Sequence, residues 1–221
     1  MQRRSINLTF HGIGEPSRPL ESGEAGVWVD RDRFYSLLDS VAGRDDVRIT
    51  FDDGNASDVQ DALPALRDRQ LQATFFVVAG RLGEPGFVDA AAVRDLTAAG
   101  MAVGCHGMRH RPWRGLEDNE LHEELVAAKA ILEETTGAPI TEAACPFGSY
   151  DRRVLRTLRS AGYDRVYTSD RGTSDPHEFL QPRNTVGPQD GSDLVARIES
   201  LDGSLSKAVS RRAKLAVKRW R

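Results

Sequence analysis

An α/β architecture closed, or nearly closed, into a barrel is what this chain predicts, and three observations predict it. Short β-like runs alternate with helical patterns along most of its 221 residues, joined by short links, the arrangement of parallel strands with helical crossovers. One run, Ala73–Val78, is almost continuously apolar, as expected of a strand covered on both faces. Three clusters of chemically capable residues fall just past predicted strand ends, where parallel α/β folds place their sites. A doubly wound open sheet is the alternative.

The elements follow in order. Ile6–His11 is predicted as the first strand, with a Gly/Pro-rich loop through Pro19. Phe34, Leu37, Leu38 and Val41 recur at helical spacing after Asp30, with Gly43 as a stop. Val47, Ile49 and Phe51 alternate as a strand, and a helix is expected over 57–69 with Leu63 and Leu66 inward and a kink at Pro64. Further helices are predicted over Ala90–Ala99, Leu116–Thr135 and Arg152–Ala161. Further strands are predicted over Met101–Cys105, Ala143–Cys145 and Arg165–Thr168.

Composition describes an ordinary globular protein, with 39% hydrophobic and 29% charged residues. The net charge of −3 hides an asymmetry: residues 203–221 carry seven Lys or Arg and no acid, leaving −10 on the rest. Val209, Ala213, Ala216, Val217 and Trp220 fall on one face of a helix starting near Leu205. Such a helix closes the barrel with its apolar face or anchors peripherally on anionic lipid. The division expected is a barrel over 1–190 and C-terminal helices with a basic tail over 191–221. The first residues lack an apolar leader core and no run is long enough to span a bilayer, so a cytoplasmic location, peripheral at the inner membrane if the tail anchors, is expected. Cys105 and Cys145 are expected as free buried thiols. Gly12-Ile13-Gly14 lacks the third glycine of a dinucleotide fingerprint, and Pro16 and Pro19 oppose the required helix. No Gly-x-Ser-x-Gly elbow is present, and no nucleic-acid partner is expected.

The first chemical cluster is Thr50-Phe51-Asp52-Asp53-Gly54. Two adjacent carboxylates cannot both enter a core without a large desolvation cost, so the sharp turn that Gly54 permits is expected to expose them. The second is His106-Gly107-Met108-Arg109-His110, two of the chain's five histidines, four apart on what reads as a helical turn. With one carboxylate, such a pair makes a facial three-ligand set with open positions. The third is Cys145-Pro146-Phe147-Gly148-Ser149-Tyr150-Asp151, a turn into a helix whose backbone N–H groups can face a developing oxyanion.

In order and spacing these three clusters resemble the polysaccharide deacetylases of carbohydrate esterase family four, the NodB-homology group. Ala73-Thr74-Phe75-Phe76-Val77 resembles the strand that follows the family's first motif. The resemblance covers roughly residues 6–186 and implies a distorted (β/α) barrel, here of about seven strands with the basic helix after it. It also implies hydrolysis of N-acetyl groups on a sugar or glycan, which an inner-membrane location would make lipid-linked. By position, it implies that Asp53, His106 and His110 bind one divalent metal ion, and that Asp52 is the general base. Zn²⁺ is the first choice for nitrogen and oxygen ligands without thiolate. The resemblance further implies that Pro146, Phe147 and Gly148 form the oxyanion and substrate turn, and that Asp170 supports the site.

The chain departs from the family at two places. Ala144 stands where an arginine usually opens the third motif, and Arg183 is the candidate to replace it beside Asp52. The late Leu-x-His motif that usually supplies the acid is missing, and His11, at the end of the first strand, is the candidate for that role. His122 and His177 are expected in solvent. The competing readings are a same-fold hydrolase of a non-sugar amide or an O-acetyl ester, an inactive sugar-binding homologue, and a peripheral membrane protein whose barrel is only a carrier.

Overall fold

The structure is a computed structural model that describes residues 4–202; the expected basic tail lies outside the described residues. Its main sheet is built from β1 (Ser5–Phe10), β2 (Val47–Asp53), β3 (Ala73–Val77), β4 (Ala102–Cys105), β5 (Glu142–Ala144), β6 (Arg165–Thr168), β7 (Leu180–Pro182) and β8 (Asn184–Thr185). The strands run in the order β7-β6-β5-β4-β3-β2-β1-β8, every neighbouring pair parallel. The two ends of that order are one stretch of chain. Leu180–Pro182 pairs with β6, and after the single residue Arg183, Asn184 and Thr185 pair with Leu8 and Thr9 of β1. A bent segment thereby closes the barrel. An antiparallel contact of Thr173–Ser174 with Ser5 and Ile6 reinforces the seam.

The predicted barrel is present, with eight strands in the wall instead of about seven. The closing pair was not legible because neither half is long enough to show a period, and Pro182 and Arg183 read as loop.

Helices cover the outside. α1 (Arg31–Val41) begins at Asp30, whose carboxylate accepts the Arg33 N–H, and buries Phe34, Leu37, Leu38 and Val41 as the spacing predicted. The helix expected over 57–69 starts as a π-helical turn, Asp58–Ala62, and continues as α2 (Leu63–Asp68). Pro64 follows directly on the π-helical turn in a helix that runs through it; it has no N–H to donate to the preceding turn, so the expected kink is a change of helix type. α3 (Ala90–Ala98) follows. α4 consists of Asp118–His122, a π-helical turn Glu123–Ala127 and Ala128–Thr136, ended by Gly137 in the left-handed conformation. α5 (Arg152–Ser160) and α6 (Leu194–Asp202) complete the set. Leu194, Val195 and Ile198 of α6 bury in the same core as Ile6 and Leu8 of β1.

Two apolar layers lie between wall and helices. One is organised by Phe10, Phe34, Phe51 and Phe75, with Phe51 and Phe75 stacked at 4.6 Å and Phe10 edge-on to Phe34 at 5.1 Å. The other surrounds Val93, Trp113, Leu125, Leu132 and Leu158. The lumen is different. Phe76, Ala144 and Tyr167 form a small separate cluster, and around it Thr9, Thr50, Gln181 and Arg183 are buried and hydrogen-bonded. At the strand starts a cavity of about 630 Å³ is lined by Arg48, Thr74, Glu142 and Arg165. The chemical clusters lie at the other end.

Candidate active site

Asp52 and Asp53 are the last two residues of β2, and both are buried, at 3% and 2% exposure. The expected exposure of this pair is therefore wrong, and the reason is compensation. Alternation along a strand sends neighbouring side chains to opposite faces. Asp53 breaks it with a left-handed backbone (φ 78°), followed by Gly54 at φ 72°. Both carboxylates consequently reach His106 Nε2, Asp53 Oδ1 at 3.5 Å and Asp52 Oδ2 at 3.7 Å.

Arg183 offsets the charge of Asp52. Its Nη1 and Nη2 donate to Asp52 Oδ1 and Oδ2 at 2.6 and 2.7 Å, and Nη1 also donates to Thr50 Oγ1. The guanidinium lies over Phe76 and Tyr167, at 5.2 and 5.8 Å from their ring centres. At 2% exposure it is no surface arginine. Burial by itself would raise the Asp52 carboxyl, but Arg183 and then His106 hold it below the ordinary carboxylate range. Arg183, the residue between β7 and β8, is thus the cation beside Asp52. Ala144 contributes in a different way: its carbonyl faces His106 Nδ1 at 2.8 Å, which puts the proton on Nδ1 and turns the Nε2 lone pair toward Asp53.

The segment from His106 to His110 is not the helical turn expected. Gly107 (φ 85°) and His110 (φ 49°) are both left-handed. The segment is a loop held from two sides. Ala79 and Gly80 donate their N–H groups to the carbonyls of Gly107 and Met108, and the buried Glu124 carboxylate accepts from the N–H groups of Met108 and Arg109. In that shape His110 Nε2 stands 3.1 Å from Asp53 Oδ1. The ligand atoms of Asp53, His106 and His110 all lie within 4.8 Å of one another. Donors on a tetrahedral ion with bonds of about 2.0–2.1 Å sit roughly 3.3 Å apart. Asp53 Oδ1 is buried and accepts no hydrogen bond, so three lone pairs face one point, and the residues fit a divalent cation. Burial, followed by the nearness of His106, pulls His110 down to about 4. Its imidazole is therefore neutral at pH 7, the form that ligates.

His11 follows β1, with Nε2 4.0 Å from Asp52 Oδ2. Its carbonyl accepts from Asn55 Nδ2, and Asn55 in turn accepts from Arg18. Pro146–Gly148 forms a 3₁₀ turn with Phe147 at φ 56°. Phe147 is 65% exposed, and its ring centre is 4.8 Å from that of His110. Asp151 caps α5 by accepting the Val154 N–H. Asp170 accepts from Tyr150 and Thr168 hydroxyls at 2.7 and 2.8 Å, tying the loop after β6 to the Pro146–Gly148 turn. His122 and His177 are exposed as expected, and both cysteines are buried and outside any disulfide.

Sequence reasoning missed two carboxyls. Glu124 adjoins the surface residues His122 and Glu123 on α4, yet it is completely buried; it stands three residues after Leu121 and four before Ala128, and that apolar spacing was the signal for its face. Asp58, in the other π-helical turn, is 1% exposed with Oδ1 unpartnered. Burial, then Asp53 and Asp52, push its carboxyl well above the usual range.

Residues 39–166 match the family model described as polysaccharide deacetylase. YxkH of Bacillus subtilis strain 168, which carries a provisional polysaccharide deacetylase name, is 27% identical over 158 residues, covering 70% of this chain and 57% of YxkH. A peptidoglycan-N-acetylglucosamine deacetylase of Bacillus cereus is 27% identical over 137 residues, covering 62% of this chain and 61% of that protein. The chain thus spans about three fifths of the length of these relatives. Among solved structures, the Streptococcus pyogenes deacetylase PplD in complex with acetate superposes with a TM-score of 0.79 at 17% identity, covering 90% of this chain and 99% of PplD. IcaB from Ammonifex degensii superposes with a TM-score of 0.73 at 22% identity, covering 89% and 97%. Both share the barrel.

Two outcomes are expected from this geometry. His106→Ala or His110→Ala removes stoichiometric metal from the purified protein, read by elemental analysis; full occupancy in both variants would refute the ligand assignment. In metal-free protein, Asp58 binds its proton more tightly folded than unfolded, so its contribution to stability is full below about pH 4 and is lost as pH rises toward its raised folded value. Urea midpoints for Asp58→Asn therefore fall less between pH 4 and pH 7 than those of the parent, and parallel pH profiles would show that Asp58 is ionised.

With the matched segment covering more than half of its sequence, the chain belongs to the polysaccharide deacetylase family.

Proposed function

We propose that the protein is a metal-dependent hydrolase that removes N-acetyl groups from an acetylated sugar or glycan. The observation that carries this reading is the meeting of Asp53, His106 and His110 at one point, beside a carboxylate, Asp52, held ionised by Arg183. The family membership and the named activity of the Bacillus cereus relative support the substrate class.

Asp53, His106 and His110 would hold the cation, with Zn²⁺ the first choice for two imidazoles and a carboxylate. When bound, such an ion acidifies a water and polarises the acetyl carbonyl. Asp52, kept anionic by the fork of Arg183, accepts the proton of the attacking water as general base. The carbonyl oxygen gathers charge as the water adds. The Phe147 N–H, which follows Pro146 in a turn with Phe147 at φ 56°, is the group we assign to stabilise that charge. The exposed Phe147 ring offers an apolar face to the sugar. An amine leaves only when protonated, and His11, beside Asp52 and accessible to solvent, supplies that proton.

Acetate release from a panel of N-acetylated sugars and glycan fragments tests the reading. Activity that Asp52→Asn lowers by roughly 10²–10⁴ at unchanged metal content is expected. No acetate from any substrate, with metal bound, would point to an inactive sugar-binding protein. Arg183→Gln, if it folds, raises the acidic limb of the pH–rate profile, because Asp52 loses the charge that holds its carboxyl down; an unmoved limb removes Arg183 from that role. His11→Gln slows amide cleavage far more than cleavage of an activated acetyl ester, which leaves without proton assistance. Equal losses on both substrates would leave His11 a positioning group.

A further inference from the structure

A carboxylate sealed in a protein core needs donors for its oxygens, and those of Glu124 are unusual in all belonging to one short segment. Glu124 is 0% exposed. Its Oε2 accepts the Met108 N–H at 2.9 Å, and its Oε1 accepts the Arg109 N–H at 3.2 Å and Arg111 Nε at 3.1 Å. The segment approaches closely enough that a Cβ on Gly107 would stand 2.3 Å from Oε2. Consecutive N–H groups aimed at one anion force the chain between them into a tight turn, and that turn ends in His110 at φ 49°. Such a conformation persists in a non-glycine residue only where its surroundings over-determine it. The opposite edge of the same loop is fixed by the N–H groups of Ala79 and Gly80 on the carbonyls of Gly107 and Met108. Glu124 lies in the π-helical turn of α4, on the face shared with the buried Leu121, Leu125 and Ala128, while its neighbour Glu123 stays at the surface, paired with Arg109 at 2.8 Å.

We propose that Glu124 is the positioning residue of the metal loop: by gathering the Met108 and Arg109 N–H groups it holds His110 in its left-handed conformation, and so sets how tightly Asp53, His106 and His110 bind their cation. This rests on the metal reading above. Glu124 touches neither the cation nor the substrate, and its effect is carried through the backbone to the His110 imidazole.

The test is zinc affinity of the full chain, measured by competition with a chelator. It is paired with the visible absorption of the Co²⁺ form, which reports ligand geometry, and with the unfolding midpoint of metal-free protein. Glu124→Gln keeps the shape but presents an amide NH₂ to N–H donors. It is expected to weaken zinc binding about 10–100-fold, the cost typical of losing an outer-shell partner, and to alter the Co²⁺ spectrum. Glu123→Gln, on the neighbouring surface pair, leaves both unchanged. Zinc affinity within about twofold of the parent in Glu124→Gln, whatever its midpoint, overturns the proposal and leaves the metal site standing; the twofold margin lies well inside the expected loss. A parent that binds no zinc overturns the metal reading and this proposal with it. Should Glu124→Gln fail to fold, Glu124→Asp carries the test. It keeps the charge but, one methylene shorter, cannot span both N–H groups, and unchanged zinc affinity in that variant likewise refutes the proposal.

Discussion

A guanidinium and a carboxylate sealed together inside a barrel cost several kcal/mol each to desolvate, and Arg183 and Asp52 recover that cost only through geometry. Two short, parallel N–H···O bonds, a third to Thr50 and the faces of Phe76 and Tyr167 surround the pair. Removing one partner of such a pair typically costs about 3–5 kcal/mol, since the other is left charged and alone. Arg183 is also the single residue between the two strands that close the barrel. Completing the sheet therefore places the Arg183 guanidinium beside Asp52, and that cation offsets the cost of burying the carboxylate.

The same logic of compensated burial extends outward from this pair. Asp53 is held among imidazoles, His106 is oriented by the Ala144 carbonyl, and Glu124 is satisfied by backbone N–H groups and Arg111. Asp58 is the exception, a carboxyl without a partner for Oδ1, which burial and the nearby Asp53 and Asp52 push well above the usual range. The two inward acids that sequence reading missed, Glu124 and Asp58, both lie in π-helical turns. Such turns rotate the following positions around the helix axis and so change which side chains meet the site.

Much of the fold was legible because it rests on local periodicity. The α1 spacing of Phe34, Leu37, Leu38 and Val41, its Asp30 cap, the apolar run of β3 and the strand Arg165–Thr168 are each written within a dozen residues. The motif residues Asp52, Asp53, His106 and His110 were legible for the same reason: ligand types at short spacing beside strand ends. Composition and pattern thus determined the barrel class and the residues able to hold a cation.

What only the tertiary structure decided depends on contacts across long separations. No local pattern marks Leu180–Thr185 as the seam, since its partners lie at the far end of the chain, in β1, and in β6. Nothing in sequence distinguishes Arg183 from the exposed arginines of α5; they differ only in which of them a closed sheet presents inward. Glu124 shares the helical spacing of Leu121 and Ala128, but that its carboxylate meets the N–H groups of the His106–His110 loop is decided by the fold. The carboxylates looked exposed because an isolated pair would have to be. They are buried because a cation more than a hundred residues away, on Arg183, and the imidazole of His106, some fifty away, arrive beside them in the completed barrel. Sequence determines which groups can be charged, but whether a charge survives burial depends on neighbours that only the completed fold supplies.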